Sequence, residues 1–411
     1  MTLPESILII GAGQAGGCAA AALRREGYEG RITLAGIEPH RPYERPPLSK
    51  AVLHDAGAEE TLFLHKPDFH DSLKMDWRPG AEVRSLDVAA RCARTASGET
   101  LAFDRCLLAT GGRARLLPGL PPDAPNVHYL RGLDDARRLR RRLQPGASVI
   151  VIGGGFLGLE FAGMARGQGV AVTVCEAGPQ LLGRAAPPQV GAWLQRCHEE
   201  AGTRVLCNAM TRSVAPDADG VTVALDSGEI LHADFLLASV GQLPNVELAQ
   251  KAGLAVDNGI VVDARCETSA PGIFAAGDCA SHRSRFLQRH VRLESWQNAQ
   301  EQAQVAARGM LDLPASYDVL PWFWSDQLEM NIQMLGMPDA GLDYRMRGRE
   351  SDRKFSVYGF ADDRLRYVLA VNSGAEMTPL RRLIAAGAVV DANRLTDADL
   401  PVRETVKLAL A

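Results

Sequence analysis

The chain has 411 residues, which at roughly 150 residues per domain gives two or three domains and excludes a small stapled module. Apolar residues make up 46% and charged residues 23%, ordinary values for a folded globular protein, so extensive disorder is excluded. With 45 basic and 49 acidic side chains the formal charge is -4, and the basic excess of a nucleic-acid-binding protein is missing.

The eight cysteines (Cys18, Cys92, Cys106, Cys175, Cys197, Cys207, Cys266 and Cys279) form no C-x-x-C pair and no tight cluster. That spacing argues against a zinc site, an iron-sulfur cluster or a disulfide framework, and reduced thiols are expected. A strand and a Gly-rich turn arrive within eleven residues, without a basic leader, and no apolar stretch approaches the ~18 residues of a membrane span. A cytoplasmic protein with no membrane partner is expected.

In chain order, the apolar run Ser6 to Ile10 leads into Gly11-Ala-Gly13-Gln-Ala-Gly16, then an Ala-rich helical stretch from Cys18 to Arg25. The run Arg31-Ile-Thr-Leu-Ala35 reads as a second strand. An Arg-rich helix is predicted over Asp134 to Leu143, followed by the turn Gln144-Pro-Gly146. The opening pattern then repeats 142 residues on: Ser148 to Ile152, Gly153-Gly-Gly155-Phe-Leu-Gly158, a helical stretch Glu160 to Gln168, and a strand Ala171 to Cys175. Further strands are predicted at Val221 to Leu225 and Phe235 to Ser239. From about Pro314 the composition changes: Trp322, Phe323 and Trp324 cluster, and alternating runs at Lys354 to Tyr358 and Tyr367 to Val371 predict a small α+β domain.

The glycines of the first turn have distinct physical roles. Gly11 permits the turn, Gly13 lets backbone approach a pyrophosphate, and Gly16 allows close helix-strand packing. The helix N-terminus then faces the phosphates. Gly153, Gly155 and Gly158 repeat the arrangement, and a motif found twice, each time between strand and helix, points to two dinucleotide sites. In the second unit Glu176 stands 23 residues after Gly153, where a carboxylate accepts from a ribose 2'-hydroxyl and repels a 2'-phosphate, favouring NADH over NADPH. Arg184, eight residues on, is either a phosphate-neutralising group or a surface arginine. In the first unit Ile37 occupies the expected acidic position and Glu38 follows it, so Glu38 is the candidate for the adenosine ribose. Two dinucleotide folds need two dinucleotides, and FAD with a nicotinamide cofactor is the usual pair. Asp278, after Gly277 at the end of an apolar run, suits the flavin side.

These residues resemble a known family, the FAD-dependent, NADH-using ferredoxin reductases of bacterial oxygenase systems, a group that includes putidaredoxin, rubredoxin and biphenyl dioxygenase reductases. The resemblance covers essentially the whole chain. It rests on Gly11 to Gly16, Arg41-Pro-Tyr-Glu-Arg-Pro-Pro-Leu-Ser-Lys50, Ala109-Thr-Gly-Gly112, Gly153 to Glu160, Val240-Gly241-Gln-Leu-Pro-Asn245, Ala275 to Asp278, Glu294 to Ala299 and Pro321-Trp-Phe-Trp-Ser-Asp326. It implies FAD contacts at Ala15, Lys50, Val83, Arg131, Asp278 and Trp296, with Arg45 near the cofactor, and a nucleotide contact at Gly241. It also implies that Lys50 and Glu160 pair beside the flavin N5, where a cation stabilises reduced flavin. Hydride transfer to N5 needs stacking and distance, so no proton-transfer residue is named.

The thiol relays of related disulfide reductases are missing: Arg41 to Pro47 holds no cysteine, and Cys18, directly after Gly17, suits packing. Electrons from NADH are therefore expected to leave singly, to a one-electron protein acceptor, and the resemblance implies that this acceptor is a two-iron, two-sulfur ferredoxin. The basic run Arg283, Arg285, Arg289 and Arg292 is the candidate docking surface for an acidic partner, whereas Arg137, Arg138, Arg140, Arg141 and Arg142 read first as a solvated face. Trp322 and Trp324 either line an electron exit or pack. The resemblance implies an α/β architecture of two Rossmann-like domains of glutathione-reductase type plus a C-terminal α+β domain, with FAD binding by 1-113 and 242-313, NAD binding by 114-241 and the last domain over 314-411. The expected activity is NADH:ferredoxin oxidoreductase. Its rivals are an NADH-dependent flavoprotein reducing a small acceptor of the monodehydroascorbate or oxygen type, and an NADH-sensing flavoprotein of the apoptosis-inducing-factor type.

Overall fold

The structure, a computed structural model, describes residues 3–411 and divides into two compact units. The first comprises the chain up to Pro46, Gly57–Arg113 and Gln242–Pro321. Its five-stranded parallel sheet runs Ile273–Ala275, Arg105–Leu108, Ser6–Ile10, Arg31–Gly36, Asp76–Pro79. The central strand is an unbroken Ile/Leu run because both its faces are covered, as parallel sheets require. The helix Gln14–Arg25 lies against the helix Trp296–Met310, and Ala15, Ala19 and Ala22 share a core with Ala299, Ala303 and Ala306. Small side chains let the two backbones approach.

Behind Gly277 the first unit buries a polar network. Gln302 accepts from the Gly277 amide (2.9 Å), its own amide faces His282 Nδ1 (3.3 Å), and Tyr317 donates to Asn298 (2.8 Å). Burial pushes His282 down to about 4, so the ring stays neutral and accepts from Gln302.

The second unit comprises Pro47–Ala56, Ala114–Gly241 and Trp322–Ala411. Its parallel sheet runs Arg204–Leu206, Ala171–Cys175, Ser148–Ile152, Phe235–Ala238, Val127–His128, the same order around its opening strand as in the first unit. The predicted interdomain helix forms over Leu133–Arg142. Trp322–Ala411 builds a five-stranded antiparallel sheet, ordered Trp322–Gln327, Met330–Leu335, Arg364–Val371, Lys354–Ala361, Asp343–Arg349. Three helices accompany it, Met377–Ala386, Ala392–Thr396 and Val402–Ala409. This is the α+β region expected from the alternating runs. It shares a unit with Ala114–Gly241 through Trp193 packed edge-on against Phe355 (4.9 Å) and Tyr367 bonded to the Ala185 carbonyl (2.8 Å).

On the edge strand Asp343–Arg349, Arg347 turns inward: its guanidinium pairs with Glu376 (3.2 Å) and donates to the carbonyls of Leu395, Asp397 and Leu400. Among the described residues no helix is long and apolar enough to cross a membrane.

Candidate dinucleotide and electron-transfer site

In the first unit the Gly-rich turn is built by close approach. Gly11 has φ +112°, and a Cβ there would lie 2.1 Å from the Ala109 carbonyl oxygen, while one on Gly16 would lie 1.9 Å from the Gly11 oxygen. No side chain fits at either place. Gly13, the N-cap of the helix, differs: a Cβ would meet only Arg45 Nη2, at 3.9 Å. The space over its backbone is open, as a pyrophosphate needs.

Arg45 stands at that opening. Glu38 Oε1 accepts from its guanidinium at 2.7 Å, Glu38 Oε2 accepts from Tyr43 at 2.5 Å, and the guanidinium lies 5.1 Å from the Tyr43 ring centroid. Burial raises the Glu38 carboxyl, but the Arg45 charge and the Tyr43 hydroxyl outweigh it, and the group sits below the usual carboxylate range. One Glu38 oxygen thus holds Arg45 directly, and the other holds Tyr43, whose hydroxyl accepts from Arg45 at 3.2 Å. Asp278 adds its charge to the field at Arg45, and its Oδ2 accepts from Gln242 (2.9 Å). Ala15 meets the Gly277 turn, where a Cβ would stand 3.1 Å from the alanine methyl. Trp296 opens its helix and donates to Glu44 (3.0 Å). Val83 begins a strand of a separate three-stranded sheet.

The second unit repeats the turn. Gly153 has φ +105°, Gly158 packs on the Gly153 carbonyl, and a Cβ on Gly155 would meet nothing within 4 Å. Glu176 closes over this turn: Oε2 accepts from the Gly154 amide and Oε1 from the Gly178 amide, each at 2.7 Å. A carboxylate has about four acceptor sites, so room remains for ribose hydroxyls. Arg184 extends to within 4.0 Å of where a Gly241 Cβ would be, and the Arg131 amide donates to Asp135 (3.0 Å).

The registers explain why the first unit lacks such a carboxylate. Gly11 donates to the Ala35 carbonyl as Gly153 donates to that of Cys175, so Glu176 corresponds to Gly36 rather than to Ile37 or Glu38. A Cβ on Gly36 would collide with Ala12 at 2.5 Å, and Ile37 beyond it is 68% exposed.

Lys50 and Glu160 lie together in the second unit, at 3.6 Å. The closest carboxylate to Lys50, however, is Asp326, at 2.8 Å. Glu160 is buried and its oxygens are filled by Ser49 (2.5 Å), Ser325 (2.6 Å) and the Asp326 amide (3.3 Å). Burial raises the Asp326 carboxyl, but Lys50 and Asn331 donate to it and hold it low. Sequence reasoning missed Ser49, Ser325, Asp326 and Asn331 as partners; the first three sit inside the two motifs that carry the resemblance, which was the available signal.

The basic run needs correction at one position. Arg283 and Arg289 are exposed on a hairpin, and Arg285 pairs with Asp318 (3.0 Å). Arg292 is only 9% exposed, paired with Glu294 and donating to the Asp278 carbonyl, so it holds the Asp278 turn instead of facing a partner. Trp322 and Trp324 stack on each other, centroids 5.1 Å apart, with Lys50 near the Trp324 ring and Arg381 near the Trp322 ring. Burial pushes the Cys18 thiol up to about 11, which disfavours the reactive thiolate.

Residues 5–303 match the pyridine nucleotide-disulphide oxidoreductase family and residues 322–406 match the reductase C-terminal family. The chain belongs to the pyridine nucleotide-disulphide oxidoreductases. Over 396 residues, 96% of this chain and 97% of the relative, it is 43% identical to the ferredoxin–NAD(+) reductase component of the anthranilate 1,2-dioxygenase system of Burkholderia cepacia. It is 36% identical to putidaredoxin reductase CamA of Pseudomonas putida, over all of this chain and 99% of that one. Among solved structures, the covalent putidaredoxin reductase–putidaredoxin complex superimposes with a TM-score of 0.94 at 36% identity, both chains fully covered. The ferredoxin reductase of the CYP199A2 system of Rhodopseudomonas palustris gives 0.93 at 35% identity, covering 98% of this chain and all of that one.

Proposed function

We infer that this protein is an NADH:ferredoxin oxidoreductase, passing electrons from NADH through FAD one at a time to a two-iron, two-sulfur ferredoxin that serves an oxygenase. The observation that carries the reading is the likeness along the whole chain to ferredoxin reductase components of oxygenase systems. The two open Gly turns fit two dinucleotides.

FAD, when bound, supplies a centre that takes two electrons from NADH and gives them up singly. On our reading Gly13 and Ala15 admit its pyrophosphate, Arg45 neutralises that charge while Glu38 and Tyr43 hold Arg45 still, and Asp278, Trp296, Val83 and Arg131 complete the contacts. Gly155 admits the NADH pyrophosphate, Glu176 accepts from its ribose, and Arg184 and Gly241 border the same turn. Lys50 supplies the cation that stabilises reduced flavin, with Glu160 beside it. We count three domains, because Trp322–Ala411 carries a sheet of its own, and place the protein in the cytoplasm.

The deciding experiment is anaerobic reduction by NADH, followed by cytochrome c reduction with a panel of ferredoxins and, in parallel, small acceptors. Fast reduction of the bound flavin and turnover only with a ferredoxin is the expected result. Turnover with small acceptors and with no ferredoxin would overturn the reading.

A further inference from the structure

The strands Trp322–Gln327 and Met330–Leu335 pair with Asp326 opposite Asn331 and Trp324 opposite Gln333. Residues two apart share a face, so Trp322, Trp324, Asp326, Asn331 and Gln333 lie together on one side of the ribbon. A hydrogen-bond chain runs along that side. Trp322 Nε1 donates to Gln333 Oε1 (3.3 Å), Gln333 Nε2 to Asn331 Oδ1 (2.8 Å), and Asn331 Nδ2 to Asp326 Oδ1 (2.7 Å). Its direction is imposed from both ends, since an indole N–H only donates and a carboxylate only accepts. The two amides between them therefore have one orientation each, and successive bonds polarise one another toward the carboxylate.

The other oxygen of that carboxylate, Oδ2, stands 2.8 Å from Lys50 Nζ, and the ammonium lies 5.7 Å from the Trp324 ring centroid. Glu160 is farther from Lys50, at 3.6 Å, and already accepts from two hydroxyls and an amide.

We propose that Asp326 is a positioning residue for Lys50: the side-chain ladder anchors one carboxylate oxygen so that the other fixes where the ammonium sits and how much of its charge remains for the flavin. The inference rests on the reading that Lys50 serves the flavin. One cation shared between two carboxylates offers a weaker field than one shared with a single carboxylate. Removing the Asp326 charge frees Lys50 to favour reduced flavin, whereas removing Lys50 does the opposite.

The experiment is the two-electron midpoint potential of the FAD-loaded protein, measured by dye equilibration for wild type, Asp326→Asn, Asp326→Glu, Lys50→Met and the Asp326→Asn/Lys50→Met double variant. Asp326→Asn is expected to raise the equilibrium constant for reduction about tenfold, about 30 mV for two electrons. Lys50→Met is expected to lower it by at least as much, and Asp326→Glu, which restores a carboxylate, to return it to within about threefold of wild type. In the Lys50→Met background the Asp326→Asn effect should fall below a third of its size, because the two act as a coupled pair. A shift with Lys50→Met and none with Asp326→Asn overturns the inference and leaves the reading of Lys50 intact. An equal Asp326→Asn shift in both backgrounds also overturns it, since Asp326 would then act as a free charge. Unchanged potentials in every variant overturn the reading of Lys50 itself.

Discussion

Glu176 clasps the amides of Gly154 and Gly178, one with each carboxylate oxygen. Its replacement by alanine therefore orphans two backbone donors and, on the proposed reading, removes the acceptor for the ribose. A hydrogen bond to a charged group contributes ~1.5 to 3 kcal/mol, so Glu176→Ala should lower kcat/KM for NADH by roughly 10- to 100-fold and narrow the NADH/NADPH ratio, while Glu176→Gln, which keeps an acceptor oxygen, should lose less. Steady-state kinetics with both nucleotides decides it, and a wild type indifferent to the two would refute the role. The place of Glu176 beside the second Gly turn was legible because position after a strand and a Gly turn is a local property. Asp326 was not, because its partner lies 276 residues earlier and only the folded strand pair brings Asn331 beneath it. Glu38 could be read from the sequence only as a candidate for the adenosine ribose, not as the partner of Arg45, which depends on where the loop after the second strand returns.

At the scale of the element, the two Gly turns separate packing from ligand space. Gly16→Ala would place a methyl 1.9 Å from the Gly11 carbonyl and should destabilise the first unit by about 4 kcal/mol or more. Gly13→Ala meets nearly nothing in the protein, so the fold should survive while FAD affinity of the apoprotein falls tenfold or more; flavin fluorescence titration and circular dichroism distinguish the two. The helix Trp296–Met310 and the strand Ala280–Ser284 are joined by Gln302 and His282. His282 titrates near 4 in the fold against about 6.5 unfolded. As pH falls from 6.5 the unfolded chain gains a proton that the folded ring refuses, so stability drops progressively down to about pH 4. The loss should be on the order of 3 kcal/mol, the ring being buried and each pKa unit corresponding to about 1.4 kcal/mol. His282→Gln should flatten the slope of Tm against pH in that window. The parallel strands and both turns were readable as motifs; the polar network behind them was not, since none of its members carries a sequence pattern.

For the whole molecule, the net charge of -4 leaves an acidic ferredoxin without general attraction, so any steering must be local. The exposed side chains Arg283 and Arg289 lie at neighbouring places on the hairpin, with His290 opposite Arg283. Reversing both to glutamate should slow ferredoxin association about tenfold near 0.01 M salt, where the Debye length is ~30 Å, and far less at 0.15 M, where it is ~8 Å. NADH reduction of the flavin should not change, because steering acts on encounter. Stopped-flow rates across salt concentrations test this. Wild-type rates with an unchanged salt slope would place the docking surface elsewhere, with the C-terminal region near Trp322 and Trp324 the next to be tested.

The inward turn of Arg347 bears on the behaviour of the protein at high concentration. Asp343–Arg349 ends its sheet, and a terminal strand presents unpaired N–H and C=O groups on which another chain can add itself. Arg347 ties the strand to three carbonyls and Glu376, fixing its register, while exposed Arg349 repels a like neighbour; Arg345 is paired with Asp343 (2.8 Å). An incoming copy would have to accept that charge beside its own. Arg347→Met should keep the sheet but remove the tie, and light scattering over a concentration series should then show slow, salt-promoted self-association beyond that of the parent protein.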